Sequence, residues 1–135
     1  MSFETLANTI RGRFKTLVVA STGLLVAYDN APFTPTDGVK WVRFTVLPGD
    51  SVQASIGVAK RFRTVGVAVA QIFLPIDRGD KDALALAETV KLAFRATTVS
   101  GVTFRTPSLR RVGRTDNWYQ INVNCPFYAD EIEGV

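Results

Sequence analysis

Residues 63–74, with the sequence RTVGVAVAQIFL, constrain the fold more than any other stretch of this chain. Side chains of a strand alternate between its two faces. Here neither set is polar, since Val65, Val67, Val69, Gln71 and Phe73 alternate with Gly66, Ala68, Ala70, Ile72 and Leu74. Apolar residues on both sides are typical of a central strand that is covered on both faces. We therefore predict a sheet with this strand near its middle and with helices on the face that carries the glycine and alanines.

Two amphipathic helices are predicted to supply the helical layer. The first begins after Ser2, a favourable N-cap residue, and its apolar residues recur every three or four positions: Phe3, Leu6, Ala7, Ile10, Phe14 and Leu17. The second begins at the capping residue Asp80 and runs to about Thr97, with the apolar stripe Ala83, Leu86, Ala87, Val90 and Phe94. Its alanines make this helix slim, which suits close packing on the sheet.

The other strands are predicted from alternation and turn residues. Residues 24–28 form a short strand, and the proline-containing loop 29–38 follows. Residues 39–47 and 51–58 form a hairpin closed by a type II turn at Pro48, Gly49 and Asp50, since proline and glycine suit the central positions of that turn. Further along, residues 102–105 form a strand, 108–117 a basic loop, and 118–124 the last strand.

These elements predict an α+β fold with a largely antiparallel sheet of about five to six strands and two main helices packed on one face. The length of 135 residues suits a single domain over residues 1–135, and the acidic carboxyl end, residues 129–135, is predicted to be flexible.

The residue types that catalysis most often uses are scarce. The chain has one cysteine, Cys125, and no histidine. One copy therefore has no internal disulfide, no Cys/His zinc site and no Ser-His-Asp triad. Phosphate-binding and nucleophile-elbow motifs are absent, and the carboxylates near Asp80 are explained by helix capping. We predict a protein that is not an enzyme and has no cofactor, with no signal peptide and no membrane partner.

Two basic segments and two tryptophans leave several interpretations open. The formal net charge is +4, with Lys60, Arg61 and Arg63 in one segment and Arg110, Arg111 and Arg114 in the other. Trp41 and Trp118 fall on the more polar sides of their strands, where a large aromatic ring covers a rim or meets another chain. Three interpretations of these basic segments remain. They are solvated, they bind phosphates beside aromatic rings on which bases stack, or they contact another subunit.

Several segments resemble the tail terminator family of long-tailed bacteriophages. They are YDNAPF at 28–33, WVRF at 41–44, SIG at 55–57, VAQIFLP at 69–75 leading into the RGD turn at 78–80, and RVGRTDNWYQINVNCPF at 111–127. The resemblance covers nearly the whole chain, in the right order and at about the length of the family.

The resemblance implies a structural subunit that forms a ring of six copies at the head-proximal end of the tail tube. Such a ring stops tube polymerisation and gives the head connector a docking surface. The implied partners are further copies of the chain, the major tail tube protein, the head-completion protein, and DNA that passes through the lumen without sequence-specific binding. The location is the virion tail, after assembly in the host cytoplasm. The alternatives are another neck or head-completion protein and a small nucleic-acid-binding module.

The family carries no catalytic residue over to this chain, and its motif residues Asn30, Gly57, Trp118 and Gln120 serve the fold as well as contacts. The hypothesis for a subunit or tube interface comprises Trp41, Arg43, Arg110, Arg111, Arg114 and Trp118. The candidates for facing DNA in the lumen are Lys60, Arg61 and Arg63. The rival hypothesis for the arginines of the basic loop, Arg110, Arg111 and Arg114, is that they also line the lumen.

Overall fold

The computed structural model of the protein describes residues 2–53, 60–77 and 79–133, without the side chains of residues 52, 60, 61, 115 and 131–133. Its elements, in chain order, are α1 (Phe3–Phe14), a π-helical segment (Lys15–Val19), α2 (Ala20–Thr22), β1 (Leu25–Tyr28), β2 (Trp41–Gln53), β3 (Lys60–Pro75), α3 (Lys81–Ala93), β4 (Thr98–Val99), β5 (Val102–Phe104), β6 (Ser108–Thr115) and β7 (Trp118–Glu133). The mixed α+β class is confirmed, and the described sheet has seven strands where five to six were predicted.

The strands form one sheet in the order β1-β2-β3-β7-β5-β4, and β6 pairs with β7. β1 is parallel to β2, and every other pairing is antiparallel. β3 lies between β2 and β7, so its predicted central position is confirmed. β7 shares its other edge between two partners, since β6 pairs with residues 118–124 and β5 with residues 127–129.

One buried cluster joins the sheet to the helices. In it Phe14 of α1 stacks on Phe44 of β2 with the ring centroids 4.1 Å apart, and Phe94, directly after α3, lies 6.0 Å from Phe44. The strand positions in this cluster alternate along the chain, as the pleat of a sheet requires, and we call their side the core face: Val42, Phe44, Val46, Ala68, Ala70, Ile72, Leu74, Ile121, Val123, Cys125, Phe127 and Ala129. The opposite side is the second face.

The first helix begins as the sequence predicts. Ser2 is the N-cap, and its Oγ accepts a hydrogen bond from the Thr5 amide at 3.0 Å. Near its end the buried position is Val18, whereas the predicted Leu17 is 41% exposed. The π-helical segment explains this difference, because its wider turn contains more residues than an α-helical turn and so rotates the buried side by about one residue.

The predicted hairpin at Pro48, Gly49 and Asp50 is wrong. β2 continues through these residues and pairs with β3 from Trp41–Phe73 to Gln53–Phe62, with a register shift between Pro48 and Ser51. The segment is therefore a β-bulge, and Gly49 lacks the positive φ that the type II turn requires. A side chain at Gly49 would overlap the Val65 carbonyl oxygen, so close approach of β3 is the reason for glycine here. Residues 54–58 of the predicted second strand, and the SIG segment with Gly57, lie outside the described residues.

Two predictions near the carboxyl end are also wrong. The segment predicted as a basic loop is mostly strand β6, and only Asp116 and Asn117 form the turn between β6 and β7. Asp116 adopts a φ of 52°, a conformation that aspartate and asparagine tolerate better than most residues. The last strand continues past its predicted end at Asn124 to Glu133, and Ala129 is buried. The flexibility predicted for residues 129–135 stays a prediction.

Coverage of the central strand differs between its two faces. On the core face Ala68, Ala70 and Ile72 are fully buried, whereas Val65 on the second face is 45% exposed. The prediction of a strand covered on both sides is therefore wrong for the second face near Val65. The second helix ends at Ala93, not near Thr97, although its predicted apolar stripe is buried as expected.

Substitution of Gly66 by alanine tests the closeness of β2, β3 and β7. A Cβ atom at Gly66 would lie 2.5 Å from the Leu47 carbonyl oxygen and 2.7 Å from Cζ of Phe127. We expect Gly66→Ala to lower the free energy of unfolding by about 1–3 kcal/mol, as overpacking does. Gly12→Ala is the control, because nothing lies within 4 Å of that site in α1 and alanine there stabilises a helix by about 0.5–1 kcal/mol. Equal effects of the two variants in urea unfolding would contradict the close packing at Gly66.

Candidate functional site

The sequence candidates Trp41 and Trp118 belong to a small aromatic cluster on the second face. Trp41 stacks on Phe73 with ring centroids 4.2 Å apart, Phe33 lies 5.1 Å away, and Trp118 presents its edge at 6.1 Å. Trp41 is only 5% exposed, so its predicted place on a wet surface is wrong, because Phe33 and Phe73 cover it. Among the described residues, the indole N–H of Trp41 finds no acceptor.

Arg43 and Arg110 add positive charge to the second face. The guanidinium carbon of Arg43 lies 5.7 Å from the centre of the Trp41 ring. Arg110 is exposed opposite Asn122, whose Oδ1 accepts a hydrogen bond from Nε2 of Gln120 at 3.0 Å. The two tryptophans, the two arginines and these amides thus lie along one side of the sheet.

The other two arginines of β6 lie on the core face side. Nη1 of Arg111 donates to Oδ2 of Asp80 at 2.7 Å and to the Tyr119 hydroxyl at 3.1 Å. Nη2 of Arg114 donates to Oδ1 of Asp77 at 2.6 Å. The hydrogen bond that Arg111 donates to Asp80 is the main reason why the pKa of Arg111 is raised. Both arginines therefore attach the β6–β7 hairpin to the turn before α3, and Asp80 uses its carboxylate for Arg111 and not for capping the helix.

Arg63 lies near the beginning of β3, far along the strand from Phe73 and the aromatic cluster. Its Nε and Nη2 donate to the two carboxylate oxygens of Asp130 at 2.8 and 3.0 Å, a bidentate geometry that is stronger than a single contact. This pairing raises the pKa of Arg63. Its guanidinium carbon also lies 4.1 Å from the centre of the Tyr128 ring, and that of Arg105 lies 5.1 Å from the same ring. Lys60 and Arg61 are paired in β3 with Glu133 and Ile132, but their side chains lie outside the described part of the structure.

The structure thus divides the sequence candidates into three places. Trp41, Arg43, Arg110 and Trp118 share the second face, Arg111 and Arg114 lie across the sheet from them, and Arg63 is at the far end of β3. Tyr128 and Arg105, which lie beside Arg63, were not predicted as site residues from the sequence. A signal for Tyr128 was present in the sequence. Cys125, Phe127 and Ala129 are apolar and alternate with the residues between them, and this alternation continues the strand pattern beyond Asn124.

Metal-binding groups and membrane-spanning helices were sought among the described residues. Among them no group of three or more histidine, cysteine, aspartate or glutamate side chains is placed to hold a metal ion. No helix in this part of the chain is long and apolar enough to cross a membrane. Burial raises the pKa of the Cys125 thiol to about 12, so the thiolate that a nucleophile or metal ligand requires is not formed near neutral pH.

The model of one protein family matches residues 5–127, and its description is phage tail terminator protein. The chain belongs to the phage tail terminator family. This finding agrees with the resemblance in the sequence and places the protein among the structural proteins of phage tails, with the virion tail as its indicated location.

Other comparisons define the fold and add no function. A solved structure at 22% sequence identity is similar over 97% of this chain and 96% of its own, with a TM-score of 0.72, and its name states no activity. At that identity the likeness shows the fold alone. No curated protein matches this tail terminator chain.

Truncation of Trp41 tests whether the aromatic cluster supports the sheet. We expect Trp41→Ala to lower the free energy of unfolding by about 3–5 kcal/mol, because it removes a large buried side chain. Arg43→Ala is the neighbouring control, with an expected loss of about 0.5–1 kcal/mol from an exposed cation–π contact. Similar losses for the two variants in urea unfolding would show that the cluster does not stabilise the sheet.

The pKa of Cys125 predicts both a reactivity and a pH dependence. Because the folded protein holds this pKa at about 12, above the ordinary value of 9.0, a thiol reagent at pH 8 is expected to react only as fast as the protein opens. The same shift makes folding stability fall as the pH rises above about 9, since the unfolded chain then ionises more readily. Immediate labelling of the native protein at pH 8, measured by mass spectrometry, would contradict the burial of this thiol.

Proposed function

We propose that the protein is the subunit of a terminator ring that closes the head-proximal end of the tail tube. The ring stops tube polymerisation and provides the surface on which the head connector docks. The observation that carries this proposal is the family match over residues 5–127. The proposed partners are further copies of the chain, the major tail tube protein, the head-completion protein and the DNA that crosses the lumen.

A ring of identical subunits, which we propose has six members, needs two different surfaces that fit each other on every copy, because head-to-tail contacts alone close into a ring. The subunit has two unlike sides if both helices lie on the core face of the sheet. The shared burial of Phe14, Phe44 and Phe94 in one cluster supports that layer arrangement. The second face then carries the aromatic cluster and exposed arginines.

The arginines of β6 have different roles in this proposal. Arg110 is exposed and makes no hydrogen bond or ion pair within the described structure, so we assign it, with Arg43 and the edge of Trp118, to a contact with the tube or a neighbouring subunit. Arg111 and Arg114 support this surface from behind through Asp80 and Asp77. Trp41 supports it through the aromatic cluster.

The basic start of β3 is proposed to lie toward the lumen. Lys60 and Arg61 would supply the charge that faces DNA, since the charge of Arg63 is balanced by Asp130. Contacts of this kind are not sequence-specific, because they reach phosphates and not base edges.

Electron microscopy of tail tubes tests the proposed function directly. Tubes polymerised without the protein are expected to vary in length, and addition of the protein is expected to place a ring on one end and to stop further addition of tube subunits. Tubes that keep growing, with no density at their ends, would contradict the proposal.

Reversal of the charge at Arg110 tests its assigned role. Because a carboxylate at this exposed position reverses the charge that the proposed contact uses, we expect Arg110→Glu to reduce the fraction of capped tubes about tenfold, with an unchanged unfolding curve. Lys81→Glu is the control, since it makes the same charge change at an exposed position in the first turn of α3. Equal capping by wild type and Arg110→Glu, scored in micrographs, would remove Arg110 from the interface.

A further inference from the structure

Exposed apolar side chains lie beside a tyrosine and two arginines on the second face of the sheet, and the proposed function gives this surface no role. On the second face, Leu47 is 50% and Val65 45% exposed, and Val67 is half-buried between them, since Leu47 pairs with Val67. Val65 pairs on its other side with Tyr128, whose ring carries the guanidinium groups of Arg63 and Arg105. We call Leu47, Val65, Val67, Tyr128, Arg63 and Arg105 the Tyr128 patch. Tyrosine and arginine around apolar side chains are typical of the residues that dominate protein–protein binding.

A second surface of different composition lies on α3. Leu84, Glu88 and Leu92 are exposed at a spacing of four residues, so they follow one side of the helix as a ridge. An apolar groove of about 300 Å³ lies on one side of this α3 ridge, lined by Leu84, Ala87, Pro107 and Leu109 among others. Leu17 lies beside Leu92 on the other side. Two exposed leucines next to apolar grooves form a helix face that has no partner within the described chain.

We propose that the Tyr128 patch of one copy packs on the α3 ridge of the next copy. This inference rests on the proposed function, since a second copy is the partner that a ring requires. The two surfaces differ in kind, and α3 lies on the core face side of the sheet whereas the patch lies on the second face. A contact between unlike, opposed surfaces leaves one of each free on every dimer, so it continues from copy to copy until a ring closes.

The charges of the two surfaces support this pairing. The described strand positions on the second face carry Arg43, Arg63 and Arg110 with Asp130 as their one carboxylate, and that carboxylate is bound by Arg63. α3 carries Asp82 and Glu88 together with Lys81 and Lys91, so its charges balance, and Glu88 is the charged residue of the ridge itself. Lys91 lies 3.5 Å from Glu88, but the pair is exposed and leaves the Glu88 carboxylate accessible to a second cation. The arginines of the patch therefore meet an apolar ridge that carries one accessible carboxylate, that of Glu88.

DNA is a poorer partner for the patch than a second copy. Leu47 and Val65 would lie against a phosphate backbone without any apolar surface to cover them. Arg63, the most central cation, already has its charge balanced by Asp130. A leucine ridge covers the apolar side chains and leaves Arg105 for the carboxylate of Glu88.

The experiment uses one variant of each surface, Val65→Glu and Leu92→Glu, in the full-length protein. Both positions are about half exposed, so the carboxylates enter without displacing the core. By light scattering across a concentration series, wild type is expected to assemble and each variant is expected to keep the mass of a single chain, 14.8 kDa. Val112→Glu is the matched control, because Val112 is an equally exposed apolar residue outside both surfaces, and this variant is expected to assemble like wild type.

Mixing the two variants gives the decisive result. Each variant retains one intact surface, so an equal mixture is expected to form a dimer of twice the single-chain mass, with one good junction and no further growth. That dimer also shows that both variants are folded. A variant that assembles like wild type, or a mixture that stays entirely monomeric, would overturn the inference.

Other outcomes separate this inference from the proposed function. Wild type that stays monomeric at every concentration would overturn the contact between copies, whereas the capping of tail tubes would still decide the terminator function. If Val65→Glu kept the wild-type mass but lost salt-dependent binding to duplex DNA, the patch would be a DNA contact and the inference would be overturned. Normal assembly of both variants together with normal capping would reject only the assigned surfaces.

Discussion

The pairing of β3 with β7 is the interaction on which the rest of the structure depends. The two strands face each other without a register shift from Lys60–Glu133 to Pro75–Trp118. β2 is added on one side of this pair, and β5 and β6 share the other side. The pair also fixes both faces at once, because a one-residue slip would move Ala68, Ala70 and Ile72 out of the core and Val65, Val67 and Val69 into it. Because Gly66 has no side chain, the Phe127 ring can lie close to β3.

Much of this fold follows from local sequence, because the deciding signals lie within a few residues of each other. The alternation around Val65–Phe73 predicted a central strand, and the two helical stripes predicted most of the buried helix residues. Phe3 and Leu17 of the first stripe are exposed, so their predicted burial is wrong. The prediction of a turn at Pro48-Gly49-Asp50 failed because the same residue types suit a turn and a β-bulge. What decides between them is the neighbouring strand, whose Val65 carbonyl approaches Gly49 too closely for any side chain. That neighbour is known only once the sheet is formed.

The candidate site was less predictable, since its arginines are defined by partners far along the chain. Arg111 and Arg114 meet Asp80 and Asp77, which lie 31 and 37 residues away in sequence. Arg63 meets Asp130 across 67 residues. No local pattern distinguishes these arginines from the exposed Arg110. Trp41 was misplaced for a similar reason, since Phe33 and Phe73, which cover it, come from separate segments.

Unpaired charge and exposed apolar area are distributed unequally over the sheet, and this distribution bears on the proposed assembly. The ion pairs of Arg63, Arg111 and Arg114 use their positive charge within the subunit, where each ties two distant segments together. Such pairs position groups more than they attract partners, because their charges are already balanced. In the proposed contact between copies, apolar surface therefore supplies the attraction and arginines set the orientation. Strand pairing extends to Gln53 and Glu133, past Val46 and Ala129, the last residues of β2 and β7 in the core cluster. This sheet continues beyond its own core, and Leu47 and Val65 are exposed where the core ends. The contact that we propose between copies would stabilise it further by covering those side chains.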